Sequence, residues 1–216
     1  MTSGRAAALL IVIFVLGASP TVAAENPASG IFLVAAATLE DPNFRETVVL
    51  VTHPRQGAPF GVIINRPLPA TLNEAFPDHE GLKARKDPVF FGGPVARQVV
   101  VFLVRAAAPP PHAAHVLQDV HLTGDIAWVD ARVKEGGLAA GLRVYAGYSG
   151  WGRGQLQNEI GRGDWYVVPA DAETIFTKDP ASIWPELVKR AAARHTRTLP
   201  PERRTTFLVP VLFPVE

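Results

Sequence analysis

The sequence predicts an α+β fold in a single domain, on three observations. Short runs rich in β-branched and apolar residues recur between turn residues, helical periodicity is confined to three stretches, and the length suits one core. Removing residues 1–24 from the 216 leaves 192, within the roughly 100 to 200 residues of one domain. Hydrophobic residues make up 48% of the chain and charged residues 19%, enough apolar surface for a sizeable core and too even a balance for extended disorder.

Residues 1–24 read as a secretory signal. Arg5 precedes an apolar run from Ala6 to Leu16, Gly17 and Pro20 break it, and Val22, Ala23 and Ala24 form a small-residue cleavage site. The run falls short of the about 20 apolar residues of a membrane span, so a cleaved product is expected in the periplasm or outside the cell, with no transmembrane span in the mature chain. An uncleaved anchor is the alternative, as is a cytoplasmic protein whose start is mis-assigned. No cysteine occurs, which excludes disulfides, thiol chemistry and a lipid-modified cysteine.

Four strands follow, at Ile31 to Ala37, Thr47 to His53, Phe60 to Asn65 and Gln98 to Val104. Their cores VVLV, GVII and VVVFLV lack polar alternation, which predicts that both faces are covered. Leu142 to Ala146 and Trp165 to Val168 are further strands. Helices are expected around Thr71 to Ala75, from Gln155 to Ile160 and from Ile183 to Ala193. In the last, Ile183, Leu187 and Ala191 line up beside Trp184, Val188 and Ala192 as an apolar stripe. Ser182 is the expected cap, which places Pro185 in the first turn. Arg105 to Ala114 (RAAAPPPHAA) reads as an extended surface loop. The division is therefore a signal at 1–24, a domain at 25–195 and a tail at 196–216. Pro210 and Pro214 confine any strand in that tail to an edge; it either adds an edge strand or covers the fold, or it meets a partner or the membrane surface.

Arg5 is the charged residue of the signal, so the mature chain balances 20 basic against 20 acidic residues. The electrostatic footprint of a nucleic-acid binder is missing. No phosphate-binding or dinucleotide glycine motif occurs, and no cofactor is expected. His112 and His115 lie in the Pro/Ala loop without nearby carboxylates, a poor start for a zinc site. His53, at a strand end, reads as a satisfied polar residue.

Candidate contacts cluster in four motifs. Asp41, Asn43 and Phe44 in DPNF form a turn whose polar side chains either bond nearby backbone or meet a ligand. Asn65 and Arg66 end a buried strand at INRPL; the Arg66 fork suits a carboxylate or phosphate, or loop carbonyls. FFGGPV at Phe90 to Val95 is a strand stopping at a tight turn. In GYSGWGRGQLQNEI, glycines at 147, 150, 152 and 154 free the backbone beside a helix start, with Tyr148, Ser149, Trp151, Gln155 and Glu159 as candidate binding residues. Trp151 is either exposed there or a core plug. Ser149 fails the nucleophile elbow, since Trp151 stands where the second glycine belongs. A small hydrolase using Ser149, or Asp41 with Glu159, remains the alternative to a non-enzymatic binding protein. No catalytic residue and no metal ligand are assigned.

These motifs, in the order GIFLVA, DPNF, TVVLVTH, GVIINRPL, FFGGPV, GYSGWGRGQL, DW and IFTKDPASIW, resemble those of the YqgE/AlgH family of bacterial proteins. The resemblance implies one compact α+β domain with coiled, partly barrel-like, mainly antiparallel sheets. It also implies a binding or regulatory protein; family members are described as uncharacterised or as transcriptional regulators. The partner implied is an unknown small ligand or protein. Gln157 stands where the family has GQLE, and the export signal and the tail are further departures.

Overall fold

A computed structural model describes residues 30–52 and 58–198. The signal segment, His53 and the tail beyond Thr198 lie outside the described residues. Ten strands form one sheet: β1 (Ile31–Ala35), β2 (Val48–Thr52), β3 (Phe60–Ile63), β4 (Pro67–Thr71), β5 (Pro88–Phe91), β6 (Val95–Arg105), β7 (Ala114–Leu117), β8 (Val120–Thr123), β9 (Leu142–Gly150) and β10 (Trp165–Pro169). Among the described residues five α-helices join them, α1 (Leu72–Ala75), α2 (Ile126–Lys134), α3 (Gln155–Arg162), α4 (Ala172–Phe176) and α5 (Pro180–Thr198), with a short 3-10 turn at Leu82–Ala84.

The main path runs β10-β1-β2-β3-β9-β6-β8-β7 with antiparallel neighbours. Strand β9 is its hub. Its first part holds β6 on one flank and β5, in parallel, on the other, and its end reaches β3 through Phe60 and Gly61. Strand β4 pairs with β5 alone, as an edge strand carrying Pro67 and Pro69 must. The sheet curls into a half-barrel, and the Gly30 amide donates to Val116 O at 2.9 Å, bringing the start of β1 to β7.

Strands β2 and β3 are covered on both faces, as their composition predicts, whereas the VVVFLV run of β6 is covered only from Val101 onward. Phe32, Val34, Val48, Leu50, Val62 and Ile64 point to one side, where they meet Phe90, Tyr145 and Val116 from the far end of the sheet. A cluster that collects residues from both ends of a sheet occupies its concave side. Helices α4 and α5 close it with Ile175, Ile183 and Leu187. The alternate residues Leu33, Ala35, Val49, Val51 and Ile63 face outward under Trp151, Leu156 and Trp165. A third cluster packs α1 and α2 against β5, β6 and β9.

Several sequence expectations are corrected. Helix α5 starts at Pro180 and its cap is Asp179, not Ser182: Asp179 Oδ1 accepts the Ala181 amide at 3.2 Å, and the Ser182 hydroxyl donates to Asp179 O. Proline is at home in the first helical position, so the helix gains a turn and Pro185 falls inside it, on the exposed side. The residues of β4, β7, β8, α2 and α4 are not separated from loops in the sequence, and β5 is read there only at its Phe90–Phe91 end. His115 belongs to β7 rather than to the preceding loop. Strand β6 is longer than expected, and an irregular register between Val95 and Val100 leaves Val95 and Val99 in solvent.

Candidate functional site

Asp41, Asn43, Asn65 and Arg66 come together through hydrogen bonds between loop and strand end. Asp41 Oδ1 accepts the Asn43 amide at 2.7 Å, closing an Asx turn. Asn65 extends the sheet with its side chain, accepting the Val48 amide at 2.8 Å and donating to Glu46 O at 3.0 Å. Arg66 sends Nη1 to Asn43 O at 2.8 Å and Nη2 to Arg45 O at 3.0 Å, so its fork is spent on loop carbonyls. Its guanidinium also stands 5.8 Å from the Phe91 ring, which Arg97 approaches to 5.4 Å. Burial, and then Arg45, lowers the Arg66 guanidinium below its ordinary value, while Glu46 opposes the shift; at neutral pH it stays charged.

This stitched loop forms one wall of a groove of about 480 Å³. Pro42, Asn65 and Arg66 line one side, and Pro180, Trp184 and Pro185 of α5 the other. Trp184 is fixed there by donating Nε1 to Ala35 O at 2.9 Å. The sequence reading missed the α5 side, although IFTKDPASIW contains it; a proline pair around an aromatic at a helix start was the available signal.

Trp151, Gln155 and Glu159 form a second cluster, and Trp151 is its plug, 4% exposed rather than on the surface. One oxygen of Glu159 accepts both indoles, from Trp151 Nε1 and Trp165 Nε1, each at 2.9 Å. The other oxygen accepts Gln155 Nε2 at 2.9 Å, and Gln155 Oε1 takes the Gly152 amide at 3.0 Å. Gly154 and Gly163 flank α3 in the left-handed region, at φ 74 and 85, where glycine carries no steric cost. Phe44 meets Trp165 edge-on at 5.6 Å, so the two clusters share a wall.

Tyr148 and Ser149 lie apart from both. The Tyr148 ring tilts against Phe60 at 4.8 Å. Ser149 is fully buried and donates Oγ to Gly92 O at 3.2 Å, so it is not presented as a nucleophile. No hydrogen bond joins Asp41 to Glu159 among the described residues; each carboxylate binds its own amide or indole donors. The FFGGPV and GYSG motifs prove to be two halves of one crossing. A Cβ on Gly92 would lie 2.2 Å from Gly147 O, and one on Gly147 2.6 Å from Gly93 O.

A family model described as AlgH-like matches residues 32–196. The chain belongs to the AlgH-like family. UPF0301 proteins of Mycobacterium bovis and Mycobacterium tuberculosis are each 34% identical over 173 residues, covering 78% of this chain and 84% of theirs. The AlgH protein of Pseudomonas aeruginosa, in its solution structure, has a TM-score of 0.61 at 26% identity over 88% of this chain and 97% of its own. A crystal structure of a Corynebacterium diphtheriae protein has a TM-score of 0.62 at 27% identity, covering 76% and 87%. Both clusters fall within the AlgH-like match. Among the described residues, no helix is long and apolar enough to cross a membrane.

Proposed function

We propose that this AlgH-like chain is a non-enzymatic binding or regulatory protein that takes a small ligand or a segment of another protein in the groove between the Asp41–Glu46 loop and the start of α5. The supporting observation is the pairing in one concavity of a positioned arginine, loop backbone and an aromatic anchor. Grooves of this make-up suit recognition, and the residues a hydrolase would use are occupied elsewhere. Arg45 and Glu46, both exposed at the rim, give it one charge of each sign, which matches a zwitterionic or peptide-like occupant.

Calorimetric titration with amino acids, short peptides and small carboxylates tests the reading. Saturable binding that weakens about tenfold in Arg45→Glu, a change worth about 1.4 kcal/mol, is expected. Arg45 supplies only its carbonyl to Arg66, so the variant keeps the loop. Absence of saturable binding across the set sinks the proposal. Export is part of the same reading and rests on the composition of residues 1–24. Sequencing the mature N-terminus checks it: a start near Glu25 fits export, and an intact Met1 in the cytosol contradicts it.

A further inference from the structure

Strand β10 ends the sheet path, and among the described residues no strand pairs with its outer edge at Val167. Asp164 O accepts from Ala36 and the Ala170 amide donates to Gly30 O. The period of two then turns the backbone of Tyr166 and Val168 toward β1, and that of Trp165, Val167 and Pro169 outward. Val167 is 49% exposed, a large apolar residue on that edge. Beside it runs a groove of about 330 Å³ lined by Ile160 and Gly163 at the end of α3, by β10, and by Ala191 and Arg194 of α5. Long apolar edges invite a further strand unless something blunts them, and here Pro169 removes only one donor.

The chain carries its own candidate. Helix α5 lines this groove through Arg194 and ends at Thr198, about 6 Å further on at 1.5 Å per residue. Residues 199–206 then form a polar neck of eight, able to span up to about 26 Å, ample to return to β10. After it comes FLVPVLFPV, Phe207 to Val215. Its prolines fall at 210 and 214, the same parity. In a strand whose even-numbered residues face solvent with their backbone, neither proline removes a ladder bond. Val209, Val211 and Phe213 then offer unbroken amides and carbonyls to the three outward positions of β10. The opposite register would set both prolines against the sheet.

We infer that the apolar segment Val209–Phe213 of the same chain adds to the outer edge of β10 as an eleventh strand, covering Val167 and filling the groove between α3 and α5. Amide hydrogen exchange at Val167 in the full chain tests this, using two proline substitutions of opposite parity. Val211→Pro puts a ring on the sheet side and is expected to speed Val167 exchange about tenfold or more. Leu212→Pro puts the ring on the solvent side and is expected to leave the rate within about twofold. Deleting 199–216 should match Val211→Pro; the two full-length variants carry the test if the deletion does not fold. Equal exchange in wild type and both variants overturns the pairing, as does equal loss from both prolines. Protection that depends on protein concentration, with dimers in sedimentation, means that a second copy supplies the strand and overturns the intramolecular reading.

Discussion

Glu159 is the residue on which the outer cluster turns. Its carboxylate accepts from Trp151, Trp165 and Gln155, and hydrogen bonds to a charged group are among the stronger kind. Glu159→Ala leaves two indole donors without their acceptor in a mostly apolar setting, and should cost about 2–4 kcal/mol of stability. Urea unfolding monitored by circular dichroism gives the value, and Glu159→Gln, which keeps an acceptor oxygen, should lose less. The glycine crossing is stricter still. Gly92→Ala drives a methyl into Gly147 O, backbone against backbone with nothing flexible to yield, and should cost more than about 3 kcal/mol, read as a lowered thermal midpoint or loss of soluble protein. Here the sequence was only half legible. Paired glycines in FFGGPV and GYSG announced special backbone, but a one-dimensional pattern cannot say that each glycine exists to admit the other.

At the level of elements, the β7–β8 pair holds a titratable device. His115 and His121 face each other across the ladder with ring centroids 5.2 Å apart, and His121 Nδ1 is buried with no hydrogen-bond partner. Burial lowers the His121 pKa most, His115 adds to the effect, and the bond with Ala106 and the charge of Asp119 oppose it. The unfolded chain therefore takes up this proton first as pH falls. The stability tied to His121 is complete above its unfolded value of about 6.5, declines as pH drops from there toward the folded value, and is flat below it. Urea midpoints measured from pH 8 to 5 should fall through that window, and His121→Gln should remove the part due to this group. Legibility of elements follows their physics. Strands β2 and β3 are buried on both faces and declare it in unbroken apolar runs. Strand β4 (PLPAT) starts on a proline and is half exposed, so its sequence looks like a loop. Helix α2 carries its own cap, Asp125, whose Oδ1 accepts the Trp128 amide, but its short and weakly one-sided pattern gives the sequence little contrast.

The whole molecule is organised by pairings distant in sequence: β1 lies between β2 and β10, and β9 gathers β3, β5 and β6. Closing such loops before contacts compensate is slow. Refolding followed by stopped-flow fluorescence should therefore occupy the millisecond-to-second range typical of non-local β architectures, and a microsecond phase carrying most of the amplitude would contradict the topology. Curling could not be read from the strands themselves, because curvature arises from register irregularities such as that between Val95 and Val100 and from the Gly30 to Val116 seam. It entered the sequence reading through family resemblance alone. The groove was legible on one side, through Arg66, and dark on the other, because its second wall arrives from α5, more than a hundred residues along the chain.

The four tryptophans are divided by their surroundings. Trp151 and Trp165 share one carboxylate oxygen, stand 6.4 Å apart and are each 4% exposed, whereas Trp128 and Trp184 are half-buried. Dissolved acrylamide will reach the second pair far sooner than the first. The protein thus carries an internal optical standard: light from the sheltered pair reports whether the barrel wall is intact, and light from Trp184 tests the proposal that a ligand enters the groove beside it.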